Sequence, residues 1–225
     1  VSSYVYPRLG FHPEESFQPI ALIEKAPLVL VTRSDKPFQN VKDVVSYGQK
    51  NSDKLSFGNA GTGSAHHLSA ELFSQSTGIK SLSVPYKGGS QAANALLTGE
   101  IDLLFEQSYA ALPSISTGKV RALAVTSEKR MSSLPNVPTL IELGYPKAAV
   151  YNWLGLAAPK GTPPQIIKKL NEAFNQALSQ PEIKERITAP GNIVGNGSPE
   201  EFRSFIISER IKWAPIVKSL NITPE

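Results

Sequence analysis

No cysteine occurs among the 225 residues. Disulfides, thiolate metal sites and a cysteine nucleophile are therefore excluded, and the periplasm and the cytosol suit the chain equally well. No apolar run approaches the ~20 residues that a membrane-spanning helix needs. Val1 is not followed by a signal peptide, so the expectation is a mature chain or a fragment. Lysines and arginines are scattered without a basic block, and the net charge is only +4. A nucleic-acid partner, which calls for clustered positive charge, is not expected. Internal repeats and low-complexity segments are also lacking. What remains is an ordinary globular composition, 40% hydrophobic and 19% charged, long enough for one large domain or two small ones.

The stretch from Leu55 to Phe73 stands out. Leu55 and Phe57 make a short strand-like run. Gly58, Gly61 and Gly63 then break it with a loop free to adopt positive φ. Ser64 suits a helix N-cap, and Leu68, Leu72 and Phe73 give the next segment an apolar face. Strand, glycine loop and helix together aim backbone N–H groups and a positive helix end at one point. A carboxylate would suit that point. A tight turn without a ligand is the competing reading.

Elsewhere the chain alternates. Val1–Glu15 reads as a connecting segment. Pro19–Ile23 and Pro27–Val31 are short apolar runs that suit strands buried on both faces, as in a parallel sheet. Val41, Val44 and Val45 stripe a helix that Gly48 weakens. Strands follow at Ser81–Val84, Ile101–Phe105 and Val120–Val125. Helices lie between them, through Ala92–Leu97 and Ala110–Ile115, with Pro113 marking a kink or a helix start. This alternation predicts an α/β layer fold. Beyond Thr126 the reading is a short helix ending at Gly144 and a strand at Trp153–Ala158. A long helix then buries Ile166, Ile167, Leu170, Ala173, Phe174, Ala177 and Leu178. Ser198 and Glu201 form a capping box for the last helix.

Three strand ends carry distinctive loops: Gly58–Ser64, Tyr86–Gly89 and Glu106–Ser108. In a parallel sheet these lie along one edge, where open α/β sheets bind ligands. Their convergence points to binding. A P-loop needs Lys and then Ser or Thr after its last glycine, and Ser64 follows Gly63 directly. The dinucleotide order G-x-G-x-x-G is reversed. Adjacent His66 and His67 point about 100° apart on a helix and cannot share a metal as an i, i+4 pair does. The G-x-S-x-G elbow of a serine hydrolase is absent, so Ser64 reads as a cap. Asp102 and Glu106, four residues apart in an extended run, are separated by roughly 13 Å. Paired catalytic carboxylates stand at about 5–9.5 Å. Asp102 reads as support for the fold. Glu106 reads either as a ligand contact or as a helix N-cap partner or solvated end.

These loops resemble the receptors of tripartite tricarboxylate transporters, the Bug family of periplasmic solute-binding proteins. The matching text is Gly58-Asn-Ala-Gly-Thr-Gly-Ser-Ala-His-His-Leu-Ser-Ala-Glu-Leu-Phe73, Val84-Pro-Tyr-Lys-Gly-Gly89 and Gly99-Glu-Ile-Asp-Leu-Leu-Phe105. Gly118-Lys-Val-Arg-Ala-Leu-Ala-Val-Thr126, Leu134-Pro-Asn-Val-Pro-Thr139 and Trp153-Leu-Gly-Leu-Ala-Ala-Pro159 with Gly161-Thr-Pro163 continue it in order. The resemblance implies a type II periplasmic-binding-protein topology, two α/β domains around a cleft. Domain 1 would comprise 1–31 and 126–225, and domain 2 would comprise 32–125. It implies a small organic acid held by backbone amides and waters, a membrane permease as recipient, a periplasmic location, no cofactor and no catalysis. The expected ligand contacts are Asn59, Ala60, Gly61, Thr62, Gly63, Ser64, His67, Tyr86, Lys87 and Glu106. No metal site is expected.

Three departures accompany the likeness. Family members usually carry Asp-Asn where this chain has Glu106-Gln107, which would reshape the distal pocket. His66 replaces a small residue. Val1 matches a point well after the family's opening strand and proline- and glycine-rich loop. The first domain is then expected to be incomplete, through truncation or loss, with apolar surface and open strand edges. Instability, dimerisation through that edge, or a partner filling the gap would follow. A remnant or interaction module without transport binding is the runner-up reading, and a hydrolase using Ser64 is the third.

Overall fold

The computed structural model describes Val5 and residues 10–219. Most of the expected connecting segment Val1–Glu15, and the end of the last helix beyond Ser219, lie outside the described residues. The chain divides into two compact units, one of Val1–Lys25 with Trp153–Glu225 and one of Ala26–Asn152.

The second unit is built on strands β1 (Phe17–Arg33), β2 (Ser56–Asn59), β3 (Leu82–Pro85), β4 (Leu103–Gln107) and β5 (Val120–Val125). Helices α1 (Val41–Lys50), α2 (Ala65–Thr77), α3 (Gly89–Thr98) and α4 (Ser108–Ser116) alternate with them. Strand order is β3-β2-β4-β1-β5. β2 runs parallel to β3 and β4, whereas β1 is antiparallel to β4 and β5. The ends of β2, β3 and β4 therefore open on one edge of the sheet, followed by α2, α3 and α4.

The runs expected as two parallel strands form the single strand β1. Its burial is as expected, with Leu28, Val29, Leu30 and Val31 at most 2% exposed. Its direction is not. Pro27 lies within it just ahead of the pairing with β4, which begins at Leu28, and with β5, which begins at Val29. Pro113 likewise lies inside α4, which starts at Ser108.

Residues 126–152 group with the second unit, so the unit boundaries lie at 25/26 and 152/153 rather than 31/32 and 125/126. The reason is packing. Met131 and Leu134 join the core around Val29, Leu104 and Val125, and Leu140 N–H donates to the Val125 carbonyl. The short helix expected before Gly144 is a capped turn: Glu142 accepts from Thr139 N–H, and Thr139 Oγ1 accepts from Glu142 N–H. Gly144, at φ 88°, ends it.

The first unit holds β6 (Tyr151–Pro159, from Trp153 on), α5 (Pro164–Ser179), α6 (Pro181–Thr188), β7 (Ile193–Val194) and α7 (Pro199–Ser219). Here β1 pairs with β6 and β7. Ile20, Ala21, Ala158 and Ile167 form its core. Ile166 is 47% exposed, and Ala173 is exposed too, against expectation. Asn171 occupies buried space instead, donating from Nδ2 to the carbonyls of Ile20 and Gly197. Ser198 and Glu201 make the expected reciprocal cap of α7.

Candidate functional site

The site grows from the base of β2. Phe57, Phe73 and Phe105 pack at centroid distances of 5.8–6.0 Å and lock β2, α2 and β4 together. Gly58 serves close packing, because a Cβ there would collide with Ile101 Cδ1. Gly61 and Gly63 meet the conformational expectation, at φ 104° and 78°. A side chain would strain both turns.

Asn59 is buried and fully engaged. Its Oδ1 accepts from Gly61 N–H at 2.9 Å, its Nδ2 donates to Ser83 Oγ at 2.9 Å, and its carbonyl accepts from Tyr86 N–H at 2.9 Å. It ties the first two loops together. Ser64 caps α2, with its Oγ accepting from His67 N–H at 3.3 Å. His67 Nδ1 accepts from Gly63 N–H at 3.0 Å. That fixes the tautomer: the ring proton sits on Nε2, which lies 3.5 Å from Glu71 Oε1.

The loop is not packed shut. Residues 60–65 are all half-exposed. Among the described residues, the N–H groups of Ala60, Ala65 and His66 have no acceptor. Thr62 stands between them, half-exposed. The first turn of α2 carries no acidic side chain, nor do those of α3 and α4. By contrast, α1 opens with Asp43, and α7 with Glu200 and Glu201. The helix ends on the β2-β3-β4 edge keep their partial positive charge uncompensated by first-turn carboxylates.

The Tyr86 hydroxyl donates to Glu100 Oε1 at 2.8 Å. Burial first, and then Glu100, push its pKa up to about 12. Its hydroxyl is thus committed away from the glycine loop, although its carbonyl lies 3.7 Å from where a Gly61 Cβ would be. The Lys87 side chain is exposed, and its N–H donates to Gln91 Oε1. Glu106 is buried at the end of β4, with Oε1 accepting from Gln107 N–H at 2.8 Å and lying 3.3 Å from His66 Nε2. Sequence reasoning did not foresee that His66 meets Glu106. Only the adjacent departures from the family pattern at 66 and 106 signalled it.

The match to a family model, that of the tripartite tricarboxylate transporter family receptor, runs over residues 1–222. The chain belongs to this receptor family. Three solved structures are similar to it. R. palustris Rpa4515 with adipate is 32% identical with a TM-score of 0.93, covering 98% of this chain and 74% of that one. The periplasmic binding protein BugD is 35% identical with a TM-score of 0.92, covering 100% and 76%. MatC from Rhodopseudomonas palustris with bound malate is 32% identical with a TM-score of 0.88, covering 96% and 74%. The receptor's fold is α/β and type II periplasmic-binding-protein-like. This chain spans 65–69% of the length of the first curated relatives it matches.

Proposed function

We propose that this receptor chain captures a small organic acid at the loop between β2 and α2 and delivers it to a membrane permease from the periplasmic side. The observation that carries the reading is the half-exposed turn at 60–65 leading into α2, where the N–H groups of Ala60, Ala65 and His66 have no acceptor among the described residues and the first turn of α2 has no acidic side chain. Backbone donors at a helix N-terminus bind carboxylates without help from a cationic side chain. Adipate and malate in the related structures agree with that ligand class. Catalysis is not part of the proposal. Ser64 Oγ serves as a cap, and His67 Nδ1, the ring nitrogen without a proton, is taken by Gly63. Isothermal titration with mono-, di- and tricarboxylates tests it. Saturable binding with Kd below about 1 mM, reversible and without turnover, is expected. No heat with any acid would overturn it.

Self-association through the first unit completes the proposal. Leu154, Ile193 and Ile211 are 48–64% exposed there. Sedimentation at micromolar concentration is expected to show a dimer, and a monomer throughout would remove this part alone.

A further inference from the structure

The second unit holds every part of the candidate site. Residues 59–64, His67, Tyr86, Lys87 and Glu106 all lie within Ala26–Asn152, and so does the Phe57–Phe73–Phe105 cluster that locks its strands. Of the twelve largest fully buried side chains among the described residues, only Ile20 belongs to the first unit. Seven of the eleven exposed large apolar side chains belong to it. The apolar burial that resists unfolding is concentrated in the second unit, and the first is the weaker body.

The chain passes between the units at Lys25–Ala26 and at Asn152–Trp153. Both crossings are secured on the second unit's side. There β1 is an interior strand, residues 28–32 pairing with β4 and residues 29–33 with β5. β7 attaches ahead of these ladders, at Glu24 and Lys25, and losing it leaves the pairing from residue 28 on in place. Ahead of the other crossing, the Tyr145 ring stands edge-on to Phe73 at 6.0 Å, Val150 is buried, and the Tyr151 hydroxyl accepts from Glu128 N–H at 3.0 Å.

We propose that the second unit folds and captures its acid by itself, and that the first unit can unfold without releasing it. This rests on the carboxylate-capture reading above and names the part of the chain that performs it. The resemblance to a two-domain cleft leads to the opposite expectation, with the ligand lost as soon as the first unit opens.

The chain carries its own reporter. Both tryptophans, Trp153 and Trp213, lie in the first unit, so tryptophan fluorescence in urea follows that unit. Hydrogen exchange at the Phe57 and Phe105 amides follows the other. The intact chain is compared without acid and with the tightest binder among acetate, succinate, malate, adipate and citrate, at about a hundred times its Kd. The tryptophan transition is expected first, at the same urea midpoint with and without acid. The opening constant at Phe57 and Phe105 is expected to fall about a hundredfold with acid. Ile20→Asn, which puts an amide into the first unit's core, is expected to shift tryptophan emission to the red and to change Kd by less than about tenfold. A single transition in both probes that the acid moves as a whole overturns the proposal, even if Ile20→Asn leaves the first unit folded. So does a larger loss of binding in that variant, whether or not its second unit stays folded. If no acid binds the intact chain, carboxylate capture fails and autonomous capture falls with it. Binding that disappears with the tryptophan transition sinks the autonomy alone.

Discussion

His67 Nδ1 accepts a hydrogen bond from Gly63 N–H at 3.0 Å, four residues earlier. This contact closes the glycine loop onto the helix it precedes. Replacing His67 by Ala removes the acceptor and costs about 0.5–1.5 kcal/mol at the loop. The expected results are a loss in carboxylate affinity of up to about tenfold and faster hydrogen exchange at the Gly63 amide. Unchanged exchange would show that the contact does not hold the loop.

Gly58 and Gly61 are glycines for different reasons, and alanine should separate them. At Gly61 the strain is backbone, φ 104°, and costs about 1–2 kcal/mol wherever the side chain goes. At Gly58 the obstacle is Ile101 Cδ1, and overpacking costs about 1–3 kcal/mol. Adding Ile101→Val should recover part of the Gly58→Ala loss in urea melts. It should recover nothing for Gly61→Ala.

Much of the local structure, at the site and away from it, is readable from local chemistry. The Ser64 cap, the positive-φ glycines and the Ser198–Glu201 box each depend on residues within a few positions. What escapes depends on long-range partners. Antiparallel pairing of β1 with β4 joins Leu28 to Gln107, and nothing in either segment alone encodes the direction. Ile166 matches the helical period yet is 47% exposed. Asn171 breaks the apolar face because it satisfies carbonyls of Ile20, 151 residues away in sequence, and Gly197. His66 and Glu106 are 40 residues apart and meet only once the sheet is assembled.

Asp102 makes stability depend on pH. Burial works against its charge, but hydrogen bonds from Lys36 Nζ at 2.6 Å and from the Ser56 N–H and hydroxyl outweigh it, and its pKa lies below the ordinary value. The unfolded chain therefore binds this proton more tightly than the folded one. The stabilisation is present above the ordinary carboxylate pKa, about 3.9, and is lost as pH falls through the lower folded value. Asp102→Asn should lower stability at pH 7 by about 1.5–3 kcal/mol and flatten the acid limb of a urea-midpoint profile. A variant with the same acid limb would assign it to other carboxylates.

In the first unit, Asn171→Leu should destabilise by about 1–3 kcal/mol despite added apolar volume, since the buried Ile20 carbonyl loses its side-chain donor and Gly197 keeps only the one from Asn175. Chemical denaturation measures this, and a stabilised variant would contradict it.

The most direct measurement is a nitrogen-15 amide titration with a short-chain carboxylate that binds, at low salt. If amide dipoles grip the acid, the N–H signals of Ala60, Ala65 and His66 shift in a saturable manner with one common Kd, and shift more than those of the first turn of α1. Saturable binding that leaves these three signals in place would contradict the account.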